Sequence, residues 1–221
     1  MWCIPEANSE YVARMEDVLD QYEQPYDPKR PLICYDEDLK QLIEETRQGI
    51  PGKPGQRERY DYEYKRKGVR NLNMAFEPLI GKRYVRMTER HTSQDFAHCM
   101  KWLVDEVYPE AEVIRVVLDN LGPHKPAALY ETFPSEEARR IVKKLEFHYT
   151  PKHASWLNMA EIELSVYSRS LKQHIPTEVM LAKEVQALTD ERNTNNTKVD
   201  WQFFTADARI KLKQLYPSIS D

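Results

Sequence analysis

Residues 150–161 read Thr-Pro-Lys-His-Ala-Ser-Trp-Leu-Asn-Met-Ala-Glu. This stretch brings a turn, one large aromatic side chain (Trp156) and one carboxylate (Glu161) together at the start of a predicted helix. A second carboxylate, Asp119, follows a β-branched run upstream. The two acids together predict a metal-dependent phosphoryl-transfer enzyme.

Composition favours one catalytic domain in a reducing, intracellular setting. The chain has 221 residues, of which 41% are hydrophobic, and this is enough for one substantial core. Cys3, Cys34 and Cys99 form no CxxC pair, and the sequence contains no leader peptide or long apolar run. We therefore expect a cytoplasmic, nucleoid-associated protein with no membrane partner.

The net charge of −4 is local rather than general. Residues 1–28 carry seven acids against one base, Arg14, which gives −6 for this segment and leaves +2 on the remainder. We therefore divide the chain into an N-terminal acidic linker or helix (1–28) and a catalytic domain (29–221). A basic middle could bind phosphates, although charge alone fits a solvated sheet face equally well; it comprises Lys53, Arg57, Arg59, Lys65, Arg66, Lys67, Arg70, Lys82, Arg83, Arg86 and Arg90.

Hydrophobic periodicity predicts an alternation of strands and helices. The first half contains a connector or lid helix at 10–22, capped by Asn8 or Ser9, and a helix at 93–107, capped by Thr92 or Ser93. Its predicted strands cover 31–35, 60–64, 69–76 and 83–87, with a loop at 50–55. The second half contains strands at 113–118 and 145–149 and helices at 135–144, 158–172, 178–192 and 206–215. The order predicts an α/β fold with a mixed five-stranded sheet flanked by helices, and extra C-terminal helices that pack on the sheet edge.

Three acids lie at the ends of these elements. Asp36 follows the first strand, Asp119 follows the strand at 113–118, and Glu161 lies in the long helix. Two divalent cations about 3.5–4 Å apart need carboxylates that converge from separate elements. Magnesium prefers such hard oxygen ligands. Glu161, Ser165, Ser168 and Lys172 also form one polar stripe that would suit a DNA backbone, although an ordinary solvated stripe fits the spacing equally well.

Several ordered motifs resemble one known family. The motifs are Asp36-Glu37, Asp61-Tyr62-Glu63-Tyr64, the run 118–124 (Leu-Asp-Asn-Leu-Gly-Pro-His), the run 149–161 that contains the opening stretch, and Asp207-Ala208-Arg209. They are similar to the catalytic half of bacterial insertion-sequence transposases of the mariner superfamily, which are DDE enzymes with a ribonuclease H-like fold. The likeness extends from about Trp2 to Pro217.

The resemblance implies that Asp36, Asp119 and Glu161 are the catalytic, metal-binding carboxylates. Glu37 and Glu163 are their rivals. Adjacent strand residues point to opposite faces, so Asp36 and Glu37 are not expected to share a site. Glu163 lies about 200° around the helix from Glu161, which separates that pair as well.

The implied activity is cleavage of DNA at transposon ends, followed by strand transfer through attack of the freed 3′-hydroxyl. The implied cofactors are two Mg²⁺ or Mn²⁺ ions, and the implied partners are double-stranded transposon-end and target DNA and a second copy of the chain. Family members usually begin with a helix-turn-helix region, which this sequence does not contain, so a separate helix-turn-helix subunit from the same element is a further expected partner. The alternative is an inactive or domesticated relic that binds DNA or represses transposition. A glycosidase-like carboxylate pair is disfavoured because it predicts no basic surface.

Other polar and aromatic residues border the proposed site. Asn120, His124, Lys152, His153 and Asn158 could position DNA or the metal ligands. Taken singly, His124 and His153 are more typical of turn or surface histidines. Trp156 and Trp201 could stack on bases, but packing in the core is the more common role of such residues.

Overall fold

Five strands form one mixed sheet in the order β3-β2-β1-β4-β5 within the described part of the chain. The computed structural model describes residues 8–47, 50–57, 59, 63–171 and 174–217. The strands are β1 (Leu32–Glu45), β2 (Tyr64–Glu77), β3 (Lys82–Thr88), β4 (Ile114–Leu118) and β5 (Leu145–Tyr149). Strand β1 is antiparallel to β2 and parallel to β4, β2 is antiparallel to β3, and β4 is parallel to β5.

Seven α-helices flank this sheet within the described ranges. They are α1 (Ser9–Glu23), α2 (Ser93–Trp102), α3 (Ala127–Thr132), α4 (Ser135–Val142), α5 (Met159–Ser170), α6 (Glu178–Thr194) and α7 (Thr205–Lys211). Helix α2 continues into one π-helical turn, Leu103–Val107, and short 3₁₀ turns cover Ser155–Leu157 and Lys213–Leu215. Asn8 caps α1 as expected, and Thr92 forms a capping box with Asp95 at the start of α2.

The sheet separates two hydrophobic layers. Side chains alternate along β1, so Leu32 and Cys34 enter one layer while Ile33 and Tyr35 enter the other. The first layer is covered by α1, α5, α6 and α7, and the second by α2, α3 and α4. This three-layer arrangement fixes the predicted α/β class. Cys34 and Cys99 are buried free thiols, one in each layer, and Cys3 lies outside the described residues.

The first strand is much longer than the sequence predicts. The prediction ended it at Tyr35, before three acids, but β1 continues to Glu45 because β2 pairs with it along most of its length. The prediction that Asp36 follows the strand is therefore wrong, since Asp36 lies inside β1 opposite Met74. Residues 60–62 of the strand predicted at 60–64 lie outside the described residues, and Tyr64 opens β2.

Helix α1 is part of the core rather than a connector or lid. Met15, Val18 and Leu19 are fully buried, and α1 packs against β5, α7 and the turn before α5. Its exposed acids produce the local charge, while its apolar face is continuous with the first layer. The domain division at residue 28 stays a prediction.

The C-terminal helices pack as two separate elements. Helix α6 contacts the edge strand β3, as predicted, whereas α7 contacts α1. Helix α3 was not predicted, because it has only six residues and follows the prolines Pro123 and Pro126. Within the described ranges, no helix combines the length and the apolar composition needed to cross a bilayer.

Candidate active site

Asp36 lies on β1, and Asp119 comes directly after β4. Strands β1 and β4 are parallel neighbours, and their register pairs Cys34 with Val117, whose side chains both enter the first layer. Asp36 and Asp119 each lie two residues beyond this pair, and side chains return to the same face of a strand every two residues. The charge of Asp119 also contributes to the raised pKa of Asp36, which is consistent with carboxylates at the same edge of the first layer.

The start of α5 brings Glu161 to the same edge. Asn158 caps α5 by accepting a hydrogen bond from the Ala160 N–H at 3.1 Å. Its amide nitrogen donates to the Tyr35 carbonyl at 2.8 Å and lies 3.4 Å from Asp36 Oδ2. Asn158 is fully buried and therefore ties the helix terminus directly to the strand that carries Asp36. Glu161, three residues after the cap, is exposed beside this junction.

The surroundings of Asp36 raise the pKa of its carboxyl group. Burial, opposed by a hydrogen bond from the Glu37 N–H and reinforced by the charges of Glu161, Glu37 and Asp119, raises the pKa of Asp36 to about 8. A carboxyl group in this state is ready to lose its proton to a bound cation. Hard oxygen donors at one edge of the sheet match the requirements of a divalent metal.

Asp119 is held in place by two contacts to one oxygen. Its Oδ1 accepts from the Leu121 N–H at 3.2 Å and contacts His124 Nδ1. Burial alone would lower the pKa of His124, but its contacts with Asp119 and Glu37 raise that pKa to about 9. His124 lies in the turn after β4, where its backbone N–H donates to the Leu121 carbonyl, but it is 1% exposed and is therefore not a surface histidine. His153 does lie exposed in a turn, with a positive φ of 64°.

The two rival acids lie elsewhere. The Glu37 side chain faces the second layer, where it contacts His124 and His91. Glu163 is buried in an ion pair with Arg83 (2.6 Å) and Arg192 (2.9 Å), and therefore has a structural role. Both positions agree with the predicted separation of Glu37 from Asp36 and of Glu163 from Glu161. The roles of Asp36, Asp119 and Glu161 as metal ligands stay a prediction.

An open cavity of about 540 Å³ adjoins the site. It is lined by two groups of residues: Asn120, Pro151, Lys152 and His153 from the loops that follow β4 and β5, and Asn8, Glu10, Tyr11 and Arg14 from the start of α1. Of the loop residues, Asn120, Lys152 and His153 were predicted to border the site, whereas Tyr11 and Arg14 were assigned no role. Their only sequence signal was their position on one side of α1.

The remaining predictions for DNA contact have mixed outcomes. Trp156 packs edge-on against Phe203, and Trp201 packs against Tyr22, so both follow the core interpretation. Ser168 of the predicted polar stripe donates to Asp38 of β1, and Lys172 lies outside the described residues. Several residues of the basic middle are paired: Arg83 with Glu163, Arg70 with Glu178, and Lys67 with Glu44.

A family comparison matches this part of the chain. The model of the DDE superfamily endonuclease family matches residues 31–179, which include both strands and the helix that carry the three acids. The chain belongs to the DDE superfamily endonucleases. No curated protein is significantly similar to it.

Solved structures resemble this DDE-family chain in fold. The Mos1 transposase paired-end complex with the left transposon end superimposes with a TM-score of 0.57 at 14% sequence identity, over 89% of this chain and 60% of that chain. The Mos1 mariner paired-end complex with Mn gives a TM-score of 0.56 at 14% identity over 89% and 61%. The Mos1 strand transfer complex gives 0.57 at 13% identity over 89% and 60%. These matches confirm the predicted ribonuclease H-like fold, and the chain spans about 60% of the length of those proteins.

Proposed function

We propose that this DDE-family domain cleaves DNA at transposon ends and joins the freed 3′-hydroxyl to target DNA, with Asp36, Asp119 and Glu161 as its catalytic metal ligands. The observation that carries the proposal is the parallel pairing of β1 with β4 up to Cys34 and Val117, because Asp36 and Asp119 each follow this pair by two residues. The buried Asn158 link supports it further, because it fixes the start of α5 against Asp36. Membership of an endonuclease family supports the same reaction class.

The donor set fits two Mg²⁺ or Mn²⁺ ions. The three carboxylates offer hard oxygens, and the pKa of Asp36 is raised mainly by burial and further by the charges of Glu161, Glu37 and Asp119, which a dication would offset. Such ions, when bound, would activate the attacking oxygen and stabilise the leaving oxygen. Asp36 and Asp119 would hold them from the sheet and Glu161 from the helix. The Mos1 complex with Mn supports a divalent cation in this fold.

Other residues of the chain would position the ligands and the substrate. His124 orients Asp119 through Oδ1, which leaves Oδ2 available to a cation. Asp36 is oriented by the Glu37 N–H at Oδ1 and by Asn158 at Oδ2. Arg14 and Lys152 line the adjoining cavity and would contact backbone phosphates. The proposal also includes the partners and the location. The partners are double-stranded DNA, a second copy of the chain that pairs two transposon ends, and a separate helix-turn-helix subunit. The location is the nucleoid in the cytoplasm.

Nicking of supercoiled plasmid with Mn²⁺ tests the activity. Asp119→Asn preserves the shape of the side chain but removes its charge, and the loss of about 3–4 kcal/mol of transition-state stabilisation would slow nicking by about 100- to 1000-fold. Asp190→Asn is the matched control, because Asp190 lies exposed on α6 and contacts Gln186. Equal nicking by Asp119→Asn and the unchanged protein would contradict the proposal. DNA binding without any nicking would instead favour the non-catalytic relic.

A further inference from the structure

A second set of metal-ligating side chains lies on the opposite face of β1. Glu37 projects from β1, His91 precedes the cap of α2, and His124 follows β4. One ligand atom from each of the three residues lies within 4.8 Å of the other two. Three separate elements therefore bring one carboxylate and two imidazoles to a single point.

The buried Glu37 carboxylate faces two imidazoles and no other donor. Its side chain is 7% exposed, and apart from these imidazoles no described group donates a hydrogen bond to its oxygens. His124 Nε2 lies 3.1 Å from Glu37 Oε2, and His91 Nε2 lies against Oε1. Burial of a carboxylate without a compensating charge costs free energy. We therefore expect a positive charge between Glu37 and its two imidazole neighbours.

The orientation of His124 is compatible with coordination through Nε2. Its Nδ1 contacts Asp119, and its Nε2 lies 3.1 Å from Glu37 Oε2. Nε2 is therefore the ring nitrogen that faces the point shared with Glu37 and His91.

We propose that Glu37, His91 and His124 bind one divalent transition-metal ion of the Zn²⁺ class. Two imidazoles and one carboxylate form a donor set that suits Zn²⁺, whereas Mg²⁺ prefers oxygen ligands alone. Ligands at about 2.0–2.1 Å in tetrahedral geometry lie about 3.4 Å apart, close to the 3.1 Å between Nε2 of His124 and Oε2 of Glu37. The His91 side chain is 37% exposed, so water can complete the shell.

The site would connect the two faces of the sheet. Asp119 accepts from the other nitrogen of His124 and would serve as the partner that fixes a metal-bound imidazole. The ion would also hold the loop before α2 and the loop after β4 against β1. The inference does not depend on the proposed DNA chemistry, because binding here needs neither Asp36 nor Glu161.

Cobalt binding tests this site separately from the catalytic acids. The protein carrying Asp36→Asn and Glu161→Gln is titrated with Co²⁺, and the visible absorption of four-coordinate Co²⁺ with imidazole ligands is expected at one ion per chain, displaced by Zn²⁺. Adding His91→Ala should weaken Co²⁺ binding by at least about tenfold. Adding His98→Ala should leave it unchanged, because His98 is an exposed histidine of α2 outside the cluster. Absence of the band, or equal binding after His91→Ala, would overturn the inference and leave His124 doubly protonated.

Thermal unfolding supplies a second measurement. One equivalent of Zn²⁺ should raise the unfolding midpoint of the unchanged protein but not that of His91→Ala, because only a ligand of the folded state stabilises it. Millimolar Mg²⁺ should not replace Zn²⁺ in this effect. If His91→Ala itself fails to fold, Glu37→Gln, which keeps the length of the side chain, takes its place. Equal Zn²⁺ shifts in the unchanged protein and the variant would reject the site.

Discussion

Two glutamates of α5, two residues apart, have different surroundings. Glu161 is exposed at the edge that carries Asp36 and Asp119, whereas Glu163 is 1% exposed and paired with two arginines. Helical geometry alone predicted that they face apart. It did not predict the partners of Glu163, because Arg83 and Arg192 come from β3 and α6 and meet only in the folded chain.

Removal of the Glu163 charge should destabilise the protein. Glu163→Gln leaves the fully buried Arg83 without its anion, and breaking such a pair costs about 3–5 kcal/mol. Urea unfolding at pH 7 measures the change in the free energy of unfolding. Glu191 is an exposed residue of α6, the helix that carries Arg192, and supplies the control. Glu191→Gln should change the free energy of unfolding by less than about 0.5 kcal/mol. Equal stability of the two variants would contradict a structural role for Glu163.

The same ion pair should make stability depend on pH in the acid range. Burial raises the pKa of Glu163, but hydrogen bonds from Arg83 and Arg192 outweigh this and hold the pKa below its usual value of 4.5. The folded-state pKa is therefore below the unfolded one. The contribution of the ion pair to stability is present above pH 4.5 and is lost as pH falls through the folded-state pKa of Glu163. The stability difference between the unchanged protein and Glu163→Gln should shrink below pH 4 in urea titrations, and a constant difference would refute the ion pair as its cause.

At the level of elements, the sequence predicts helices better than strand lengths. The starts of α1 and α2 follow from their predicted caps, Asn8 and Thr92, whereas the Thr177 cap of α6 was identified only in the structure. The length of β1 does not follow from the sequence, because its polar half is stabilised by pairing with β2, which is distant in sequence. The burial of His124 could not be predicted for the same reason: it depends on the register between β1 and β4 and on the approach of the loop before α2.

The cap of α5 should couple stability to activity. Asn158→Ala removes the N-cap bond and the buried contacts with β1, at a cost of about 1–3 kcal/mol. Nicking should fall further than the folded fraction, because Glu161 and Asp36 lose their link. Thr177→Ala removes the N-cap of α6 alone and should cost about 1 kcal/mol with nicking retained. Circular dichroism and plasmid nicking on the same samples measure both effects, and parallel loss in both variants would argue against a positioning role.

For the whole molecule, topology follows from the order of elements. Composition does not show which of the cations are available to bind DNA. The sequence predicted a basic middle, but Arg83 is buried and Arg70 and Lys67 pair with acids. Strands β1 and β2 extend beyond the other strands and pair with each other there. Lys65 and Arg66 lie exposed on this extension. This two-stranded arm is therefore a candidate surface for DNA.

Salt dependence should identify the cations of this arm as phosphate contacts. The double variant Lys65→Gln/Arg66→Gln should weaken duplex binding and reduce the slope of log affinity against log salt by about 1.8, because each phosphate contact contributes about 0.9. The control variant Arg139→Gln/Lys143→Gln changes two exposed cations at the C-terminal end of α4, which covers the second layer. It should leave the slope unchanged. Fluorescence anisotropy between 50 and 200 mM salt measures it, and equal slopes would exclude the arm from DNA contact.

Metal-specific rescue of Asp119→Cys tests the central claim most directly, because it asks whether this side chain contacts the catalytic ion. A thiolate is a poor ligand for Mg²⁺ but a better one for softer ions. Asp119→Cys should nick plasmid at least about 100-fold more slowly than the unchanged protein with Mg²⁺, and should recover part of that loss with Mn²⁺ or Cd²⁺. Nicking with Mg²⁺ at the rate of the unchanged protein would contradict the assignment of Asp119 as a catalytic metal ligand.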